Sequence, residues 1–452
     1  MKVCLVGGGG SRAPLFVRAL ANRATSIVVD TLVLTDSDGE RLRILGGLAR
    51  ACAREARATF AVELVGDIEA ALDGADFVIT SIRAGGDAAR ARYERIALDH
   101  GVIGQETVGV GGFALALWNG PALLDLATAI ERFAPGAWTL HFTNPAGLVA
   151  QILHDAGFAR HVGICDTPTD LVRRVAAFAG VDAASVDAGI LGLNHLSWLV
   201  RFATADGRDH LPALLADDAF LAQLGEPFEP ELIRSLRALP TEYLHYYYHR
   251  DAALARQQRR AQTRGAYLDA RNRALREELA ALDPSGAFAA CFPAAAAAYA
   301  RYSADRDGSY REELGRIGAA APADETGEGY AGVALDLIEA IRGNGARRTI
   351  ASVPSRGRVP GLDGDDVIET SVTVDDSGLA PVPSGALPRD VHGLICTVKG
   401  FERLASEAIR TRDATLAARA LSAHPLVGSY PLAVRLVGAL LASHRDPRGA
   451  WR

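Results

Sequence analysis

Apolar and polar positions repeat along the first 180 residues as a short β-branched run, a turn, and a longer segment with apolar residues at helical spacing. Lys2 to Val6, Thr31 to Thr35, Asp76 to Ile82, Trp138 to Thr143 and His161 to Cys165 read as buried strands, each followed by a helical segment. Runs that are apolar on both faces need cover on both, so the pattern predicts a parallel sheet with helices above and below. Beyond Asp187 the pattern changes. Asp187 to Phe202 reads as a long strand or strand pair, Glu231 to Ala238 opens a mainly helical stretch, and Thr349 to Val374 is a second strand region before terminal helices from Val391 to Ser443. The expectation is an α/β protein with a doubly wound domain over residues 1–186 and a mixed α/β domain over residues 187–452.

Composition narrows the chemistry. The chain has 452 residues, 49% hydrophobic, with 48 Lys plus Arg against 54 Asp plus Glu for a net charge of −6, which excludes wholesale disorder. Its arginines are spread along the chain, so neither nucleic acid nor an anionic membrane is an expected partner. Lys2 and Lys399 are the only lysines, which rules out a P-loop and leaves poor candidates for a Schiff base. Any phosphate must be held by arginine or backbone amides. Cys4, Cys52, Cys165, Cys291 and Cys396 form no CxxC pair and no even framework, favouring a reducing compartment. With no signal peptide apparent and no run of 18 apolar residues, a cytoplasmic location is expected.

The glycine run Gly7-Gly8-Gly9-Gly10 follows an apolar strand and precedes a helix opening near Pro14. In that setting glycines let a pyrophosphate reach backbone amides at a helix N-terminus, the arrangement of a Rossmann-type domain. The third glycine of GxGxxG is absent, since its place falls on Arg12. Asp36, ending the second strand, suits a carboxylate that accepts ribose hydroxyls and so favours NAD over NADP.

Four further segments stand at strand ends or in nearby turns, where a doubly wound sheet places its ligands: Gly104-Gln105-Glu106-Thr107, Thr143-Asn144-Pro145, Gly163 to Pro168, and Gly192-Leu193-Asn194-His195. Cys165 and His195 could share a metal ion, although singly a strand-end cysteine is more often a small hydrophobe and a lone histidine a packing residue. Pro240 to Tyr248 holds four tyrosines in six positions, among them Tyr243. A tyrosine beside a metal and a cation can act as a phenolate base; an amphipathic helix with a tyrosine face fits the spacing equally well. Arg83, Arg90, Arg92 and Arg95 cluster ahead of the GQET turn, and Arg264 follows Tyr243; these are candidate forks for a phosphate.

VGGGGSRAP, SIRAGG, HGVIGQET, FTNPAG, GICDTP, GLNHLSW, YLHYYY, Arg264-Gly265 and ALSAHPLVGSY together resemble glycoside hydrolase family 4, the NAD- and metal-dependent 6-phosphoglycosidases, nearly end to end. The resemblance implies a fold like that of lactate and malate dehydrogenases. It implies that Cys165 and His195 hold a divalent metal, usually manganese, that Tyr243 is the catalytic base and that Asp166 is the general acid. It places Gly7, Gly9, Gly10, Asp36 and Arg83 at the NAD cofactor, Asn144 at sugar hydroxyls, Arg90 and Arg264 at the 6-phosphate, and Glu106 near the metal or nicotinamide. A soft thiolate on manganese is chemically unexpected, so the metal's identity rests on the resemblance alone. Relatives in the family commonly form dimers or tetramers, which implies a homo-oligomer. The chain departs from the family at Trp118-Asn119, where Arg-Thr is common, and at Gly10 and Arg12, where Ser and Tyr are usual.

The reaction implied is hydrolysis by redox-assisted elimination. NAD oxidises C3, the metal polarises the ketone, Tyr243 takes the acidified C2 proton, the aglycone leaves, water adds, and the hydride returns to C3. The substrate would be a phosphorylated glucoside. Cys165-Asp166 is similar to the 6-phospho-α-glucosidase branch and YLHYYYH to the 6-phospho-β-glucosidases, and the β reading is preferred. The alternative from another class is an NAD-dependent 2-hydroxy-acid dehydrogenase of the lactate or malate type.

Overall fold

The computed structural model describes residues 1–314, 328–343, 345–443 and 449–452. Among these, twelve strands form one mixed sheet. The first six are β1 (Lys2–Val6), β2 (Thr31–Thr35), β3 (Ala61–Leu64), β4 (Phe77–Thr80), β5 (Trp138–His141) and β6 (His161–Gly163). They pair in parallel in the order β3-β2-β1-β4-β5-β6, the doubly wound order, with the switch point between β1 and β4. The other six are β7 (Asp187–Leu193), β8 (Leu196–Ala203), β9 (Leu239–Pro240), β10 (Arg347–Pro354), β11 (Val367–Asp375) and β12 (Gly378–Pro381). They are antiparallel, and β10 joins β6 through the Gly163 to Ser352 pair, so the sheet passes unbroken from the first half of the chain into the second.

Residue alternation explains the layers. Val3, Leu5, Leu32, Leu34 and Ile79 pack against helices Ala13–Asn22 and Gly329–Ile341, while Cys4, Val6, Val33 and Val78 pack against Gly109–Phe133 and Ala146–Asp155. Strands buried on both sides read as continuous apolar runs, which is why five of them are visible in the sequence. β3 is not visible there, because its side chains are alternately exposed and half-buried at the sheet edge. The helix Gly109–Phe133 is long and apolar enough to cross a membrane, but 72% of its most apolar stretch is packed inside the protein. With the preceding helix Gly86–Asp99 it forms the crossover between β4 and β5, and the GQET loop at residues 104–107 leads into its first turn.

Candidate active site

Gly7, Asp36, Ser81, Asn144 and Cys165 follow the carboxyl ends of β1, β2, β4, β5 and β6, so one edge of the sheet collects them. At the switch point Gly7 has φ +96°, and a Cβ there would stand 2.3 Å from the Ser81 carbonyl oxygen. Only glycine fits that approach. The Gly9 amide donates to Asp36 Oδ2 at 3.0 Å and the Asp38 amide to Asp36 Oδ1 at 3.0 Å, so Asp36 closes the glycine turn. A carboxylate has about four lone-pair sites, which leaves Asp36 capacity for further donors. The Gly10 amide is turned back to Gly7 O at 2.9 Å.

Cys165 and His195 meet. Cys165 Sγ lies 3.6 Å from His195 Nε2, and both residues are buried. Ligands about 2.3 Å and 2.05 Å from one ion at a tetrahedral angle stand about 3.6 Å apart, so the pair fits a shared transition-metal ion, with zinc bond lengths as the yardstick. Among the described residues no group of three or more His, Cys, Asp or Glu could hold a metal, so these two leave coordination positions for substrate oxygens or water. Burial, then Glu369 and Asp166, pushes the Cys165 thiol well above its usual range, and burial drives His195 down to about 3 against the pull of Glu106. Both groups are therefore neutral when no cation is bound.

His195 sits in a two-residue hairpin between Leu193 and Leu196, in the left-handed region with φ +62°. Histidine tolerates that region better than a branched residue, and such backbone collects at functional sites. Glu369 on β11 holds the turn. It accepts from Asn194 Nδ2 at 3.0 Å and Ser197 Oγ at 2.7 Å, and burial pushes its carboxyl up to about 7. Tyr243 stacks on the His195 ring at 3.9 Å between centroids with 20° between planes. Burial, then Glu242 and Cys165, raises the Tyr243 phenol. Asp166 is half-exposed, with an oxygen 4.0 Å from Cys165 Sγ and another 4.0 Å from Arg12.

The arginines divide. Arg90 donates to Glu94 at 2.7 Å and lies 2.5 Å from Glu106, so both carboxylates claim it. Arg83, expected at the cofactor, is ion-paired with Glu106 and stands 3.6 Å from Asp87. Burial works against the Glu106 charge, but Arg83 and Arg90 hold it well below the usual carboxylate range. Arg264 has no ion pair among the described residues; it stacks over Tyr310 at 5.1 Å, with burial and then Arg90 depressing its charge. It is set in place by its neighbour, since Gly265 donates its amide to Glu94 Oε2 at 2.6 Å and a Cβ there would meet Arg90 Cγ at 2.8 Å.

Sequence reading passed over Arg306, Tyr310, Glu94 and Glu369. Arg306 donates to Ser11 Oγ at 3.1 Å, and burial and then Arg12 lower its guanidinium. Nothing in its helix, Phe292–Glu313, distinguishes it from solvated neighbours. Glu369 did leave a signal, as the one charged residue in the buried run Val367 to Val374. The departure at Trp118-Asn119 is structural. Trp118 stacks on Tyr93 in the core at 5.1 Å, while Asn119 accepts from the Ala84 amide at 2.9 Å and donates to the Asn144 carbonyl at 2.8 Å, tying the SIRAGG loop to the Asn144 turn. Asn144 precedes a cis Pro145.

The sequence model of family 4 glycosyl hydrolases matches residues 2–181, and that of the family's C-terminal domain matches residues 190–427. The chain belongs to glycosyl hydrolase family 4. It is 29% identical over 462 residues to a probable 6-phospho-beta-glucosidase of Bacillus subtilis (strain 168), covering 98% of this chain and 96% of the relative. It is 26% identical over 469 residues to 6-phospho-alpha-glucosidase 1 of Lacticaseibacillus paracasei, covering 98% and 97%. Its fold matches the 6-phospho-beta glucosidase of Thermotoga maritima crystallised with manganese, NAD+ and glucose-6-phosphate, at TM-score 0.80, 24% identity and 98% of both chains. Malate dehydrogenase of Plasmodium falciparum shares the fold at TM-score 0.51 with 12% identity, covering 91% of this chain and 98% of that one. The protein is thus a glycosidase on a Rossmann-like fold, and the dehydrogenase alternative is left with the fold alone.

Proposed function

We propose that this family 4 enzyme hydrolyses 6-phospho-β-glucosides by transient oxidation at C3 and elimination of the aglycone, with NAD and a divalent cation, manganese as in the Thermotoga structure. The observation that carries the reading is the stack of Cys165 Sγ, His195 Nε2 and the Tyr243 ring, with 3.6 Å and 3.9 Å between successive members. Bound NAD would supply reversible hydride acceptance and the cation Lewis-acid polarisation of the neighbouring carbonyl. Cys165 and His195 would hold that cation. Tyr243, flat against His195, is placed to take the C2 proton, its phenol brought within reach of deprotonation by the nearby positive charge. Asp166, half-exposed at the mouth, is placed to protonate the departing oxygen. Gly7, Gly9 and Asp36 would carry the dinucleotide.

For the 6-phosphate the geometry favours Arg264 with Arg306, two crowded cations short of counter-charge, and makes Arg90 and Arg83 the frame that holds Glu106. The α-linked alternative is supported by Asp166 directly after Cys165 and by the Lacticaseibacillus relative. Paired α- and β-linked nitrophenyl glucoside 6-phosphates, beside their unphosphorylated forms, test all of this with NAD and Mn2+ present. The β-linked phosphate should turn over fastest. Faster turnover of the α form overturns the anomeric reading, and equal rates with and without phosphate overturn the arginine assignment.

A further inference from the structure

His195 shows its two ring nitrogens to different surroundings. Nε2 faces Cys165, whereas Nδ1 is buried without a hydrogen-bond partner among the described residues. A small cavity of about 30 Å³ is lined by His195, Asn194, Tyr247, Glu402 and His424, and neither Cys165 nor Tyr243 contributes to its wall. His195 thus borders a space that the cation-side residues Cys165 and Tyr243 do not line. One water needs roughly 10–15 Å³ of such space and two to four polar partners.

The polar partners are there. The Leu426 amide donates to His424 Nδ1 at 3.2 Å, which puts the His424 proton on Nε2, facing the Tyr247 hydroxyl at 3.4 Å. The Tyr247 O–H is then free to donate elsewhere. Glu402 is ion-paired with Lys399 through its Oε2, and its side chain lines the cavity. Lys399 is one of two lysines in the chain and is 0% exposed, donating also to Gln151 Oε1 at 3.1 Å. A fully buried lysine in a chain that otherwise avoids lysine needs a reason, and drawing the Glu402 carboxyl, which burial raises, back towards its charged form supplies one.

We propose that Glu402, held by Lys399, is a positioning residue for His195: through one water in this cavity it accepts the Nδ1 proton, so that Nε2 keeps its lone pair towards Cys165 and the cation. Histidines that bind metals generally donate their other N–H to a carboxylate, carbonyl or water, which fixes the tautomer. The proposal rests on the reading that Cys165 and His195 share a cation.

The test starts with metal-free protein labelled with 15N-histidine. His195 should appear as the Nδ1–H tautomer. In Lys399→Met/Glu402→Met, which removes the pair without stranding a buried charge, that preference should be lost and the Mn2+ dissociation constant should rise roughly 10–100-fold. A folded double variant with unchanged tautomer and Mn2+ affinity overturns the proposal. Should that variant not fold, wild-type protein decides: an Nε2–H tautomer, or a high-resolution crystal structure without a water between His195 Nδ1 and Glu402, also overturns it. Mn2+ binding that is equal in wild type and Cys165→Ser would instead sink the shared-cation reading and leave the tautomer measurement standing.

Discussion

Of the two halves of the site, the one around the glycine turn buries thiols and imidazoles uncharged, and the one around Cys165 and His195 adds buried carboxylates paired with arginine or lysine. Around β1 to β6 burial pushes the Cys4 thiol up to about 12 and the Cys52 thiol up to about 11, while burial and then His154 drive His161 down to about 4. Around Cys165 and His195 the buried groups are Glu94, Arg90, Glu106, Lys399 and Glu402, tied in ion pairs. The first half offers backbone amides of the glycine turn and one carboxylate, Asp36. On the proposed function, the second half would offer charged groups to a phosphate, a cation and a proton, and pairing would keep them charged while dry.

The sharpest way to break this comparison is at Cys165. On the proposed function Cys165→Ser removes a ligand of the cation, and the loss of Lewis-acid assistance should cost several kcal/mol, about a thousandfold or more in kcat. NAD affinity, a property of the other half, should not change. A variant that keeps turnover at saturating Mn2+, or loses NAD binding with it, would show that the two halves are not divided as described.

Next in size is Glu94, which holds both Arg90 and the Gly265 amide from full burial. Glu94→Gln strands Arg90 against one remaining carboxylate and should cost about 3–5 kcal/mol of stability by denaturant unfolding. It should also raise KM for the phosphorylated substrate more than it lowers kcat, because Arg264 follows Gly265. Unchanged stability would mean the pair is solvated and the contrast with the first half overstated.

How much of this was legible in the sequence follows the same division. The cradle is local: a strand, a glycine turn and Asp36 lie within one stretch, and φ +96° at Gly7 demands the residue found there. Buried parallel strands announce themselves as apolar runs, whereas β3 at the edge does not. Cys165 and His195 are separated by 30 positions, and their convergence was inferable only through family motifs. The arginines read alike in the sequence, which shows a cluster of cations without its counter-ions. Glu94 and Glu106 turn Arg90 and Arg83 into a frame, and Arg306 comes in from a helix nothing marked.

Asp36 offers a smaller effect on the cradle side. Asp36→Ala removes a charged acceptor from the Gly9 amide and from a ribose hydroxyl, about 1.5–3 kcal/mol, or roughly 10–150-fold in the NAD dissociation constant. At saturating NAD, kcat should be close to that of wild type. A fall in kcat that NAD cannot restore would place Asp36 in the reaction half.

The smallest expected effect tests the uncharged burial directly. His141 at the end of β5 and His161 at the start of β6 have ring centroids 5.7 Å apart, and the Thr80 hydroxyl is hydrogen-bonded to His141 Nδ1 at 2.9 Å. Burial and His161 hold His141 well below its usual range, and burial and His154 hold His161 near 4. Unfolded, each takes a proton near pH 6.5. Between pH 6.5 and 4 the unfolded chain therefore binds protons that the fold refuses, and stability rises with pH across that window and is lost as pH falls. His161→Gln removes one such group, so its unfolding free energy should fall less steeply between pH 6.5 and 4, by about 1–2 kcal/mol over the window after discounting for partial exposure. A variant whose pH dependence matched wild type would mean that His161 is already charged in the fold, and that the first half also buries charge.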